Sequence, residues 1–131
     1  MGTVGWGSLT NRRALHWDWA PLEGCFPTKN GNTIQPSDLD FVVERRGYFL
    51  VFETKRHGER LKMGQQIMLE NLASKPGCTV FVITGNLNDP STVQRVTPNG
   101  ILPATEATWE SLRILTHKWF QWVESHEWRG R

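Results

Sequence analysis

The chain has 131 residues, 38% of them hydrophobic, with seven Trp and six Phe and a formal net charge of +2. This length suits one domain spanning 1–131 with a real core, because aromatic side chains bury large areas apiece. The mild charge permits contact with a phosphate backbone without demanding it. No stretch approaches the roughly 18 apolar residues of a membrane-crossing helix, so no membrane partner is expected.

The opening Met1-Gly2-Thr3-Val4-Gly5-Trp6 lacks a basic segment followed by an apolar run, and no signal peptide is expected. A short helix from about Asn11 to Trp19 is consistent with Asn11 as its cap. Pro21, Pro27 and the Lys29-Asn30-Gly31-Asn32 turn prevent regular structure from continuing beyond it. Cys25 and Cys78 show no metal-ligand spacing and are too few for a disulfide framework. They read as reduced thiols of a cytoplasmic protein.

Next comes a hairpin, with strands at about 39–44 and 48–55. If Arg46-Gly47 is its two-residue turn, Asp40 lies directly opposite Glu53, and Gly in second place favours that choice because type I′ turns need positive φ there. Alternation then puts Asp40, Glu53 and Lys55 on one face and Phe41, Val43, Leu50 and Phe52 on the other. A turn at Arg45-Arg46 would instead pair Asp38 with Glu53. Either register gathers an Asp, a Glu and a Lys, and two acids that close are tolerated mainly when a cation sits between them.

A helix is predicted from about Glu59 to Ser74, with Leu61, Gln65, Met68, Leu69 and Leu72 on one stripe. Gln65 is its odd member, since a polar amide on a buried stripe needs a partner. Thr79 to Thr84 reads as an interior strand covered on both sides. Strand, helix and strand in this order make a parallel pair through a right-handed crossover. Thr92 to Thr97 reads as an edge strand, and a last helix at about 106–127 carries an apolar stripe of Trp109, Leu112, Leu115, Trp119 and Trp122. The fold class expected is α/β: a mixed central sheet, built from the hairpin and the crossover strand and flanked by helices.

An Asp, then Glu-x-Lys on a hairpin, then a helix carrying a Gln, then a buried strand resembles the PD-(D/E)XK nuclease superfamily. The matching residues are Pro36-Ser37-Asp38-Leu39-Asp40, Glu53-Thr54-Lys55 and Gly64-Gln65-Gln66, within about residues 36–84. The compact form looks most like small stand-alone or phage-borne members, and it implies a restriction-endonuclease-like fold. The Tyr found four residues after the Gln in exonuclease branches is replaced here by Leu69 or Glu70, which argues against that branch. An acid on the first helix helps hold metal in many members, and Asp18 and Glu23 are both candidates.

The resemblance implies a metal-dependent DNA endonuclease, with RNA left open as a substrate. Phosphodiester hydrolysis needs a nucleophilic water and stabilisation of developing negative charge, which a hard divalent ion supports. Magnesium (or manganese) needs only one or two carboxylates, which Asp40 and Glu53 supply. The Thr54 carbonyl is a further ligand by resemblance. Lys55 would orient the water or stabilise charge, and Gln65 would position by hydrogen bonding. Arg56, Arg60 and Lys62 would meet neighbouring phosphates. Asp38 is an additional candidate, though it reads first as a turn or capping residue. Cutting both strands would most simply use a homodimer.

The blander readings are a cross-strand ion-pair ladder and a solvated basic face. The alternative function is a non-catalytic nucleic-acid-binding or assembly protein that keeps the fold. His16, His57, His117 and His126 show no zinc spacing.

Overall fold

In a computed structural model, residues 17–129 are described, and the chain divides into two compact units, Met1–Pro36 and Ser37–Arg131. Most of the helix expected at 11–19 lies outside the described residues, and 17–19 are not helical. The described part of the first unit is a single 3-10 turn, Ala20–Leu22, and a small loop closed by the Pro27–Thr33 bridge. Asp18 Oδ1 accepts from the Ala20 N–H at 3.0 Å, and the Trp17 and Trp19 rings stack 5.6 Å apart.

The second unit is a mixed α/β fold: a six-stranded mixed sheet with two helices. In chain order these are β1 (Phe41–Arg45), β2 (Tyr48–Arg56), α1 (Met63–Ala73), β3 (Cys78–Asn86), β4 (Asp89–Thr97), β5 (Gly100–Ile101), β6 (Thr105–Glu106) and α2 (Trp109–Glu124). Strands β1 to β5 lie side by side in sequence order, and β6 pairs with β4. The predicted turn holds. Arg46 and Gly47 have φ of 56° and 83°, and Phe41 pairs with Phe52, so Asp40 continues the register toward Glu53. Strand β3 runs parallel to β2, as a strand–helix–strand passage requires, and antiparallel to β4.

Each sheet face has its own core. Leu50, Phe52 and Tyr48 pack with Trp119 and Val123 of α2, and Phe41, Val43, Phe81 and Ile83 fill in around them. On the other face Val51, Val80, Val82 and Val96 pack with Leu69 of α1. Strand β3 is thus covered on both sides, which explains its nearly continuous apolar run.

The structure differs from the sequence expectation in several places, the last helix among them, which spans Trp109–Glu124 and not 106–127. Helix α1 starts at Met63, not Glu59. The Glu59 N–H donates to the Arg56 carbonyl and the Glu59 carboxylate accepts from the Arg56 N–H, which turns 56–59 into the stop of β2. Strand β4 is not an edge, because β5 and β6 pair along its outer side. In α2 the buried stripe is Leu112, Trp119 and Val123, whereas Trp109 and Trp122 are 58% and 47% exposed. Val123 takes the place expected of Trp122 because it follows Leu112 and Trp119 at the helical period. Trp122 sits at the rim instead, edge-on to Tyr48.

The tail after α2 fastens the hairpin. Arg45 pairs with Glu124 at 2.6 Å, Arg46 donates to the carbonyls of Glu124 and His126, and the Arg129 N–H donates to the Arg46 carbonyl at 2.8 Å. Cys25 and Cys78 are free thiols. Among the described residues no helix is long and apolar enough to cross a membrane.

Candidate active site

Strand alternation on β2 turns Val51, Glu53 and Lys55 toward α1, while Leu50 and Phe52 turn toward α2. Glu53 therefore leaves an apolar row and lies beneath a helix, with only 4% of its surface exposed. A carboxyl so placed needs hydrogen-bonding partners. Helix α1 supplies one: the Gln65 amide nitrogen donates to Glu53 Oε2 in a short contact. This answers the question raised by an amide on the buried stripe. Lys55 Nζ lies 4.0 Å from the same oxygen, its side chain 14% exposed.

Asp40 comes from the residue just before β1. Its Oδ2 accepts both the backbone N–H and the hydroxyl of Thr54, each at 2.9 Å. The other contact of Asp40 is Glu53, whose carboxyl is within hydrogen-bonding reach.

Electrostatics separates the two acids. Burial pushes the Glu53 carboxyl up to about 7, aided by its hydrogen bond to Asp40 and by the charges of Asp40 and Asp38, with Lys55 opposing. Asp40 moves the other way. Its partial burial favours the neutral form, but the bonds from Glu53 and Thr54 and the charge of Lys55 outweigh this, and it stays below its ordinary value. Two neighbouring carboxyls, one held up and one held down, form an acid pair of the kind found where charge is handled.

The pair fits a divalent cation. Both donors are hard oxygens, and the raised Glu53 beside the lowered Asp40 marks a place where positive charge is favoured. Among the described residues no group of three His, Cys, Asp or Glu side chains is arranged for a metal. Two carboxylates plus water suit magnesium, which retains much of its hydration, better than zinc or calcium. Thr54, whose carbonyl the resemblance offered as a ligand, uses its N–H and hydroxyl to hold Asp40 in place. Alternation along β2 makes the Glu53–Lys55 face legible, but this backbone bond has no sequence signal.

The remaining expected residues are more dispersed. Arg56 ends β2 and lines a cleft of about 400 Å³ that also reaches Thr54, Lys55, Trp109 and the β3–β4 turn. Arg60 lines a second cleft, about 380 Å³, shared with Lys55, Gln66 and Gln94. Lys55 thus borders both openings. Lys62 is exposed at the N-cap of α1, and Asp38 is exposed and acts on Glu53 through its charge. Asp18 and Glu23 belong to the first unit, where Asp18 caps its own turn. His57 bonds the Ser91 hydroxyl at 3.0 Å, which ties the loop after β2 to β4.

Comparison with protein-family models, with curated proteins and with solved structures finds no match to this chain.

Proposed function

We propose that this chain is a divalent-metal-dependent DNA endonuclease of the PD-(D/E)XK type, with a restriction-endonuclease-like fold. The observation that carries the reading is the buried Glu53, flanked by Asp40 and Lys55 and bonded by Gln65 from the following helix. A surface ion-pair ladder has no need of an amide aimed at it from a helix, nor of a carboxyl held near neutrality.

Asp40 and Glu53 would hold Mg²⁺ or Mn²⁺, which acidifies bound water and polarises a phosphoryl oxygen. Thr54 fixes Asp40, so one ligand is set before any ion arrives. Lys55 presents its ammonium beside the acid pair, where it offsets negative charge developing on a phosphate. Gln65 orients the Glu53 carboxyl by occupying Oε2, which leaves the other oxygen for the shared proton or a cation. Arg56 and Arg60 border the clefts on either side of Lys55 and suit the flanking phosphates. Action in the cytoplasm, and as a two-fold dimer when both strands are cut, belongs to the same reading.

The test is incubation of plasmid, single-stranded and branched DNA with Mg²⁺ or Mn²⁺, beside an EDTA control and Lys55→Ala. Cleavage should vanish in EDTA and fall about 100-fold or more in the variant, the scale of losing a charge-stabilising group. Identical products from wild type and Lys55→Ala would refute the assignment. Metal-independent binding without cleavage would favour a non-catalytic binding protein.

A further inference from the structure

The 400 Å³ cleft at the end of the sheet is not explained by the acid pair. One wall is Trp109, the first residue of α2, 58% exposed although its indole N–H donates to the Asn88 carbonyl at 2.9 Å. That bond anchors the ring to the β3–β4 turn while a large part of it stays open to solvent. Thr54 to Arg56 at the end of β2 also line it, so the cleft shares Lys55 with the candidate active site. Asn86 and Asn88 line the turn, and Leu87 at its tip is 90% exposed.

The turn is built to stay in place. The β3–β4 register shifts between Thr84 and Gly85, where Ser91 of β4 is left unmatched just before the turn. A Cβ at Gly85 would lie 2.2 Å from the Asp89 carbonyl oxygen, so only glycine permits the approach. Asn88 itself has a φ of 57°, in the left-handed region that Asn tolerates. Trp109 lies outside the buried stripe of α2, which begins at Leu112.

Resting on the nuclease reading, we propose that this cleft takes an unpaired base of single-stranded DNA, stacked on the Trp109 ring, with its phosphate toward Arg56 and Lys55. Only an unstacked base offers a free face to an indole, whereas the faces of a base pair are hidden inside the duplex. The volume falls in the range of sites for small ligands, and the Asn86 and Asn88 amides can meet base edges. Glu59 and Asp89 also reach the cleft and offset its basic residues, so stacking dominates the recognition here and charge contributes less. The substrate class this implies is DNA with a single-stranded portion at the scissile site.

The test is fluorescence anisotropy in EDTA with a labelled oligothymidylate of about 12 nucleotides, within the span of known single-strand sites. A duplex of equal length serves as the second probe. Trp109→Ala and Trp109→Leu should weaken single-strand binding about 5- to 100-fold, Trp109→Phe about threefold or less, and none should move duplex binding by more than about twofold. Thermal melts of all three confirm folding, and the Leu variant retains apolar bulk should Ala destabilise α2. Retention of single-strand affinity in Trp109→Leu, absence of single-strand binding by wild type, or an equal loss on duplex would overturn the proposal. Cleavage is scored separately. Trp109-dependent binding by a wild type that cuts nothing would sink the nuclease reading and leave the stacking site, and cleavage indifferent to Trp109 would do the reverse.

Discussion

Replacing Glu53 with Gln tests the acid pair through stability as well as activity. Gln keeps the shape, can accept from Gln65 and can donate to Asp40, so the fold should survive. What disappears is the titration. Wild-type Glu53 binds its proton more tightly when folded, with its value raised from 4.5 to about 7. The folded state therefore holds more protons than the unfolded one between those values, and stability falls as pH rises through that window. At about 1.4 kcal/mol per tenfold change in proton affinity the full swing is on the order of 3 kcal/mol, nearer 2 where water reaches the rim beside Asp40. Urea unfolding followed by tryptophan fluorescence in EDTA, at pH 4.5 to 8, measures it. The two proteins should be equally stable at the acid end, and Glu53→Gln should be the more stable by about 2–3 kcal/mol at pH 8. Parallel curves across the range would show that Glu53 titrates normally and refute the acid-pair argument.

Mg²⁺ should bind more tightly as pH rises from 6 to 8, because it displaces the proton shared by Asp40 and Glu53. Calorimetry in buffers of different ionisation enthalpy should show release of about one proton per ion near pH 6, and none in Glu53→Gln. Arg56→Ala should weaken DNA binding and reduce the slope of log affinity against log salt by about one, read by anisotropy across a salt series. Gly47→Ala should lower stability by more than about 1 kcal/mol, since its φ of 83° disfavours a side chain and its Cβ would meet the Arg129 carbonyl oxygen at 2.3 Å. A denaturation midpoint unchanged from wild type would show that the tail does not bear on the hairpin.

The sequence carries the site better than the periphery, for physical reasons. The Arg46-Gly47 turn and the alternation along Tyr48–Lys55 are local signals, and together they fix which residues share a face with Glu53. Gln65 is legible as an anomaly, a polar residue on the stripe that also carries Leu69. The start of α1 is not legible, because Glu59 is drawn into a turn with Arg56, a choice that helix periodicity does not encode. Nor is the rim position of Trp122, since a half-exposed tryptophan and a buried one look alike in a hydrophobic pattern. Trp109 is drawn onto the apolar stripe for the same reason, and its bond to Asn88 shows that it serves the β3–β4 turn instead.

The long-range clamp on the hairpin turn gives those local signals their force. Strand register has a period of two, so a slip of one residue on β2 would carry Glu53 and Lys55 into the face now filled by Leu50, Phe52 and Trp119. It would also bring the aromatic row under α1, where Leu69 and the valines fit closely. Arg45 and Arg46, gripped by Glu124 and the backbone after α2, hold the turn from the far end of the chain. An exposed ion pair alone is worth little, but a guanidinium that also donates to two backbone carbonyls constrains geometry as well as charge. The charged face is thus set by contacts at the opposite end of the β1–β2 hairpin from Asp40 and Glu53. That arrangement holds two carboxyls side by side against their mutual repulsion, and Glu53 answers by keeping its proton up to about 7.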